Sequence, residues 1–177
     1  MPSQGQAHRT LGRKSGPRKM LLRQLVTSVI EHESITTTYA RAKEAQPLVE
    51  KMITHSKQNT RQDLGAIAGF VFNVSYSLKK LRDVLAPRYK NRQGGYTRVL
   101  HLEPRGRDAA PMAVLELVDG KKDLRLYLTA KAIARSIHDN IPLDKTTLAN
   151  KAKYMSTPEG AQLLQEKTEL LQKVFYP

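Results

Sequence analysis

The stretch YTRVLHLEPRGRDAAPMAVLELV, Tyr96 to Val118, holds two runs of near-continuous or alternating apolar residues separated by a segment rich in turn formers. Runs of this kind, with Val, Leu and Tyr at period two, predict strands at Tyr96–Leu102 and Met112–Val118. The nine residues between them, EPRGRDAAP, contain two prolines, Gly106 and two arginines. Extended runs joined by such a connection predict an antiparallel ribbon with Arg105 and Arg107 at its tip. The residues just before the ribbon, RYKNRQGG, place Arg88, Lys90 and Arg92 beside Gly94 and Gly95. Positive charge is therefore gathered on both sides of the first strand, around the backbone that is least constrained.

Working outward, Ser34 to Thr38 is a β-branched run that reads as a third strand. Ser15-Gly16-Pro17 reads as a helix start, because proline in the first turn gives up an N–H that has no intrahelical partner. That helix runs from Pro17 to His32, with Leu21, Leu22, Leu25, Val26 and Val29 on one face. Thr38 is placed to cap a second helix, whose stripe is Ala42, Ala45, Leu48, Val49, Met52 and Ile53, extending to Lys57 with a bend at Pro47. Residues Gln58 to Asp63 read as a polar linker and Gly65 to Val74 as a short buried helix. Leu78, Leu81, Val84 and Leu85 continue a helix that Pro87 ends.

Beyond the Asp119-Gly120 turn signal the composition becomes helical. Thr129 is placed to cap a helix with Ala130, Ile133, Ala134 and Ile137 inside, residues 144–153 form a short one, and Pro158 starts the last. Leu163, Leu164, Leu170, Leu171 and Val174 make its apolar stripe. The chain divides into a basic arm over residues 1–14, a domain over 15–119 and a helical extension over 120–177.

The chain of 177 residues carries 30 Lys and Arg against 16 Asp and Glu, a net charge of +14. Such an excess repels itself unless a polyanion neutralises it. Residues 1–30 hold six basic residues and no acid, and Ser77 to Arg107 nine against two. The acid-free start suits a mitochondrial address and equally an arm that threads into nucleic acid. Arg9, Arg13, Lys14, Arg18, Lys19 and Arg23 cluster there, and Arg41 and Lys43 follow on the second helix. With no Trp and few aromatics, phosphate contact is a stronger handle than base stacking. No helix concentrates base-reading side chains on one face, so RNA, recognised by arms, ribbons and loops, fits better than DNA.

Catalytic templates are missing from the sequence. There is no cysteine, hence no disulfide and no thiolate metal site, and the five histidines never fall at helical metal-ligand spacing. Gly12-Arg13-Lys14-Ser15 lacks the upstream glycine of a phosphate loop, and no GxSxG, HExxH or GxGxxG occurs. The reading is no enzyme, no cofactor, no metal and no small-molecule substrate. The longest apolar stretch is too short to span a bilayer.

Five strings then appear in a fixed order: LGRKSGPRKMLLRQLV (Leu11 to Val26), HESITTT (His32 to Thr38), ARAKEA (Ala40 to Ala45), RYKNRQGGYTRV (Arg88 to Val99) and RGRDAAPMAVLELVD (Arg105 to Asp119). Together, over residues 8–119, they resemble the bacterial-type large-subunit ribosomal protein seventeen. The resemblance implies an α+β fold, a small two-layer domain with a three-stranded mixed sheet packed on helices, to which the helical extension is added. It implies a structural role, binding large-subunit rRNA near the polypeptide exit region beside neighbouring ribosomal proteins. Carried across, the implied RNA contacts are Arg13, Arg18, Arg23, Lys43, Arg88, Arg92, Gly94, Gly95, Tyr96, Arg98 and Arg105. Arg41 keeps the charge of a usual lysine, while Pro17, Pro47 and Arg107 depart from the family pattern. Most bacterial members lack residues 120–177, so the chain looks like the mitochondrial version, with a bacterial-type cytoplasm as the alternative location. A general nucleic-acid-binding or DNA-packaging protein is the alternative function.

Overall fold

A computed structural model describes residues 8–120, 122–156 and 158–175. The chain divides after Val118 into two compact units. The first is built from the helix α1 (Ser15–His32), the strand β1 (Ser34–Thr38), the helices α2 (Tyr39–Gln58) and α3 (Arg61–Phe70), and then α4 (Val74–Lys80), a π-helical turn at Leu81–Leu85 and the short α5 (Ala86–Arg88). The strands β2 (Thr97–Leu102) and β3 (Met112–Leu117) complete it.

The two apolar runs of Tyr96–Val118 pair as expected, Thr97 opposite Leu117 through Leu102 opposite Met112. β1 joins the other side of β3, giving the order β1-β3-β2. Both pairings are antiparallel, so the sheet is not mixed. The reason lies in the connections: β2 returns directly into β3, and β1 reaches β3 with its direction already set by α1. Ala113, Leu115 and Leu117 alternate onto the face covered by helices, where they meet Leu22, Val26, Val29 and Ile30 of α1 and Ala45, Val49 and Ile53 of α2.

α1 begins at Ser15 rather than Pro17, which puts the proline third in the helix, still among the first four N–H positions that need no intrahelical acceptor. Glu33 closes it in the left-handed conformation, φ 64°, its N–H bonded to the Val29 carbonyl at 2.8 Å. A non-glycine residue pays about 1 kcal/mol or more for that conformation. Here the side chain offsets the cost, since Arg88 grips the Glu33 carboxylate at 2.9 and 3.3 Å and Lys80 lies 3.3 Å away.

α2 runs uninterrupted through Pro47. Thr38 occupies its N-cap position without a side-chain cap bond. The polar linker is shorter than expected, because Thr60 and Asp63 form a reciprocal capping box and start α3 at Arg61. The stretch read as a buried helix is mostly surface: Gly65, Ala66 and Gly69 are exposed, and only Asp63 and Ile67 of α3 are buried. Small apolar residues raise a hydropathy average without supplying area to bury. Pro87 does not stop its helix either; the wider π turn before it leaves room for a ring that would clash with the Asp83 carbonyl in a regular α-helix.

The second unit contains α6 (Leu124–Asp139), α7 (Lys145–Met155) and α8 (Pro158–Phe175), around Leu126, Ala130, Ile133, Ala134, Tyr154, Leu164 and Leu171. Its organising residue is Asp123, and not the Thr129 expected as the cap. The buried Asp123 carboxylate accepts from the N–H groups of Arg125 (2.9 Å), Leu126 (3.3 Å) and Asp119 (3.1 Å), and from the Tyr154 hydroxyl (3.2 Å). Thr129 lies inside α6, its hydroxyl donating to the Arg125 carbonyl at 2.8 Å. Of the expected α8 stripe, Leu164 and Leu171 are buried while Leu170 and Val174 are exposed.

Candidate nucleic-acid interface

The basic residues singled out from the sequence separate into two groups once their partners are known. One group is fastened inside the first unit. Arg18 donates to Glu44 at 2.7 Å and to the Arg9 carbonyl at 2.6 Å, while the Arg9 N–H donates back to Glu44 at 3.3 Å. From His8 onward the amino-terminal segment is thereby tied to α1 and α2, and Leu11 packs on the core. Arg23 donates to the Phe70 carbonyl at 2.6 Å with its guanidinium 4.6 Å above the Phe72 ring, closing α1 on the α3–α4 junction. Arg88 holds Glu33, as described, and Arg98 pairs at 2.9 Å with Glu116, which is 0% exposed.

The electrostatics follow from these pairs. Burial pushes the Glu33 carboxyl upward, but the hydrogen bonds and charges of Arg88 and Lys80 outweigh it and hold the group below its ordinary range. Arg88 is raised in turn, since Glu33 overcomes the opposing effect of burial. At the ribbon tip Arg105 grips Asp108, whose carboxyl falls to about 2 through the Arg105 hydrogen bond first and the Ala110 N–H second.

The glycine pair sits in a loop whose base is built from within. Lys57 of α2 donates to the Arg92 carbonyl at 2.5 Å and to the Tyr96 hydroxyl at 3.1 Å, and its ammonium lies 5.2 Å from the Tyr96 ring centre. Tyr96 is buried against Tyr89, ring centres 5.0 Å apart, so its ring packs in the core and offers no surface for stacking. Arg92 donates to the Gly94 carbonyl at 3.2 Å. Gly95 has φ 62°, a conformation that favours glycine, and a Cβ added at Gly94 or Gly95 would meet nothing within 4 Å. Both are exposed, so the backbone is open to approach from outside.

The second group points outward: Arg13, Lys14, Lys19, Lys43, Lys90 and Arg107 are exposed, and Arg41 is half-buried. Lys51, Arg61, Lys79 and Arg82, not among the contacts expected from the sequence, are exposed too. Their signal was present as helix positions off the apolar stripes. Lys57 was also missed, and nothing local could have revealed it, because its partners lie 35 and 39 residues away. Among the described residues no group of His, Asp and Glu is arranged to hold a metal ion, and no helix is long and apolar enough to cross a membrane.

Glu33, Glu44 and Glu116 thus hold arginines within the unit, while lysines and arginines without such partners lie on the surface. Comparison with known proteins gives this pattern a lineage. Residues 21–118 match the family model for ribosomal protein L17. Large ribosomal subunit protein bL17m of Schizosaccharomyces pombe is 47% identical over 92% of this chain and 82% of its own length. The bL17m of Neurospora crassa is 50% identical over 72% of this chain and 67% of its own. Large ribosomal subunit protein bL17 of Caldanaerobacter subterraneus is 48% identical over 63% of this chain and 99% of its own. The bacterial relative is therefore matched almost entirely by about the length of the first unit, whereas the S. pombe match is too long to leave out the second. With the α+β fold, the motif order and the family model in agreement, the chain belongs to the ribosomal protein L17 family.

Proposed function

We propose that the chain is a structural constituent of the large subunit of the mitochondrial ribosome, where its first unit binds and positions large-subunit rRNA near the polypeptide exit region. The observation that carries this reading is the sorting of charge: residues 1–118 hold twenty Lys and Arg against nine acids. Seven of those acids, Glu31, Glu33, Glu44, Glu50, Asp63, Asp108 and Glu116, are engaged by side-chain bonds within the unit. The surface left over is a field of cations, suited to a phosphate backbone. The mitochondrial assignment is supported by the two bL17m relatives and by a second unit shared with one of them. The exit-region position rests on the family resemblance. The second unit, ten basic residues against seven acids, is proposed to meet neighbouring ribosomal proteins with its exposed Leu128, Leu170 and Val174.

Sedimentation of mitochondrial lysate through a salt-washed sucrose gradient tests the assignment. Stable co-migration with the large subunit is expected, and co-migration with nucleoids would support the DNA-packaging alternative instead. Crosslinking to rRNA with mapped nucleotides then checks the position, which fails if the sites lie away from the exit region.

A further inference from the structure

The aromatic rings of the first unit are mostly covered: Tyr89 and Tyr96 are in the core, and Phe72 lies under Arg23. A different arrangement occurs where β2 runs into the ribbon loop. His101 is exposed and stacks on Tyr39, ring centres 4.3 Å apart with 26° between the planes. Lys43, one turn further along α2, places its ammonium 5.7 Å from the Tyr39 ring centre, within the range of a cation–π contact. Neither Tyr39 nor His101 was among the contacts expected from the sequence.

Both rings are held by backbone that has little freedom. Tyr39 donates its N–H to the Pro111 carbonyl at 2.9 Å, which fixes the start of α2 to the entry of β3. His101 is opposite Ala113 in the ladder, and Ala113 is opposite Thr37, two residues before Tyr39. The loop after β2 is closed by Arg105 on Asp108 and by the Arg105 N–H on the Ala110 carbonyl at 3.0 Å, with Arg107 exposed in it. A stack fixed in advance loses little conformational entropy when another flat group joins it. RNA supplies such groups as unstacked bases, which proteins receive on aromatic rings including histidine, beside cations for the phosphate.

We propose that the Tyr39–His101 stack, with Lys43 beside it, seats an unpaired RNA nucleobase against the exposed imidazole of His101. The inference rests on the rRNA-binding reading above and names one contact within it that is made by ring surface instead of charge.

The test compares the full chain with its His101→Ala, His101→Phe and Lys90→Ala variants for binding to a large-subunit rRNA transcript, by filter retention across a salt series. Thermal midpoints of the variants are measured alongside. His101→Ala is expected to weaken binding about tenfold at fixed salt, the size of a lost base–aromatic stack. The slope of log affinity against log salt should stay as in the parent, since no phosphate contact has been removed. His101→Phe, which keeps a stacking ring, should bind within about twofold of the parent, whereas Lys90→Ala should flatten the salt slope by about one. If His101→Ala binds as the parent does while Lys90→Ala changes the slope, the nucleobase seat is wrong and the rRNA-binding reading stands. The same holds if His101→Phe falls as far as His101→Ala. A parent chain that binds the transcript no better than an unrelated RNA overturns both.

Discussion

The two units are assembled by the same kinds of residue used in opposite ways. In the first, acids act as inward anchors for arginines: Glu33 for Arg88, Glu44 for Arg18 and Glu116 for Arg98. In the second, acids mainly serve helix ends, with Asp123 capping α6 and Asp144 bonding the Thr146 N–H and hydroxyl at the start of α7. The ion pair of Arg135 with Asp139 is exposed. Inward acids leave the first unit's surface strongly basic, whereas acids at helix ends leave the second with a milder charge and with exposed Leu128, Ile137, Leu148, Leu170 and Val174. Charge totals alone would hide this, because they say how many cations exist and not which of them face out.

The sharpest way to break the contrast is Arg98→Ala. It breaks the 2.9 Å ion pair of the fully buried Glu116 and is expected to cost about 3–5 kcal/mol, read as an early unfolding transition in urea. A shift below about 1 kcal/mol would mean that Arg98 is a surface cation like the others. Next in size, Asp123→Ala removes a helix cap and leaves the Tyr154 hydroxyl and several N–H groups without their acceptor. About 2 kcal/mol is expected, confined to the second unit's amide exchange. Exchange that quickens equally around Leu115 would erase the distinction between the units.

Acid should act on the first unit through Glu33. The Glu33 carboxyl lies below its ordinary value in the folded protein, so its contribution is complete above about pH 4.5 and is lost as pH falls through the lowered folded value. Asp63, held down first by the Thr60 hydroxyl and then by His55, adds in the same direction. Glu33→Gln should therefore flatten the fall of thermal midpoint between pH 5 and pH 3, and an unchanged slope would remove Glu33 from the account. The smallest stability effect belongs to the outward cations. Lys19→Ala or Lys90→Ala should alter folding by no more than about 0.5 kcal/mol while lowering the salt slope of RNA binding by about one each.

Much of the fold was legible in local pattern. The β-branched Ser34–Thr38 run, the Tyr96–Val118 ribbon and the stripe through Ala42, Ala45, Val49 and Met52 each became the element they suggested, because a single periodicity and short connections determined them. Failures came where two local signals competed. Pro87 signals a stop, but the π turn before it absorbs the ring; Thr129 resembles a cap, but Asp123 accepts four bonds. The apolar Gly65–Val74 stretch looked buried, yet its small residues had little area to hide.

The candidate site was legible as composition and not as geometry. Arg18, Arg23, Arg88 and Arg98 resemble Lys19, Lys90 and Arg107 as letters, and nothing within a few residues separates them. The ring of Tyr96 is turned inside because Tyr89 and Lys57 meet it in the core.

What the sequence determined by itself was the family, the order of strands and helices, and a large excess of positive charge. The tertiary structure decided which cations remain outside. An arginine's charge belongs to its residue type, but its availability depends on a partner that folding alone brings near: Glu33 reaches Arg88 across 55 residues and Glu44 reaches Arg18 across 26. Pairing over such separations follows from how α1, α2 and the sheet pack, and no window of sequence contains it.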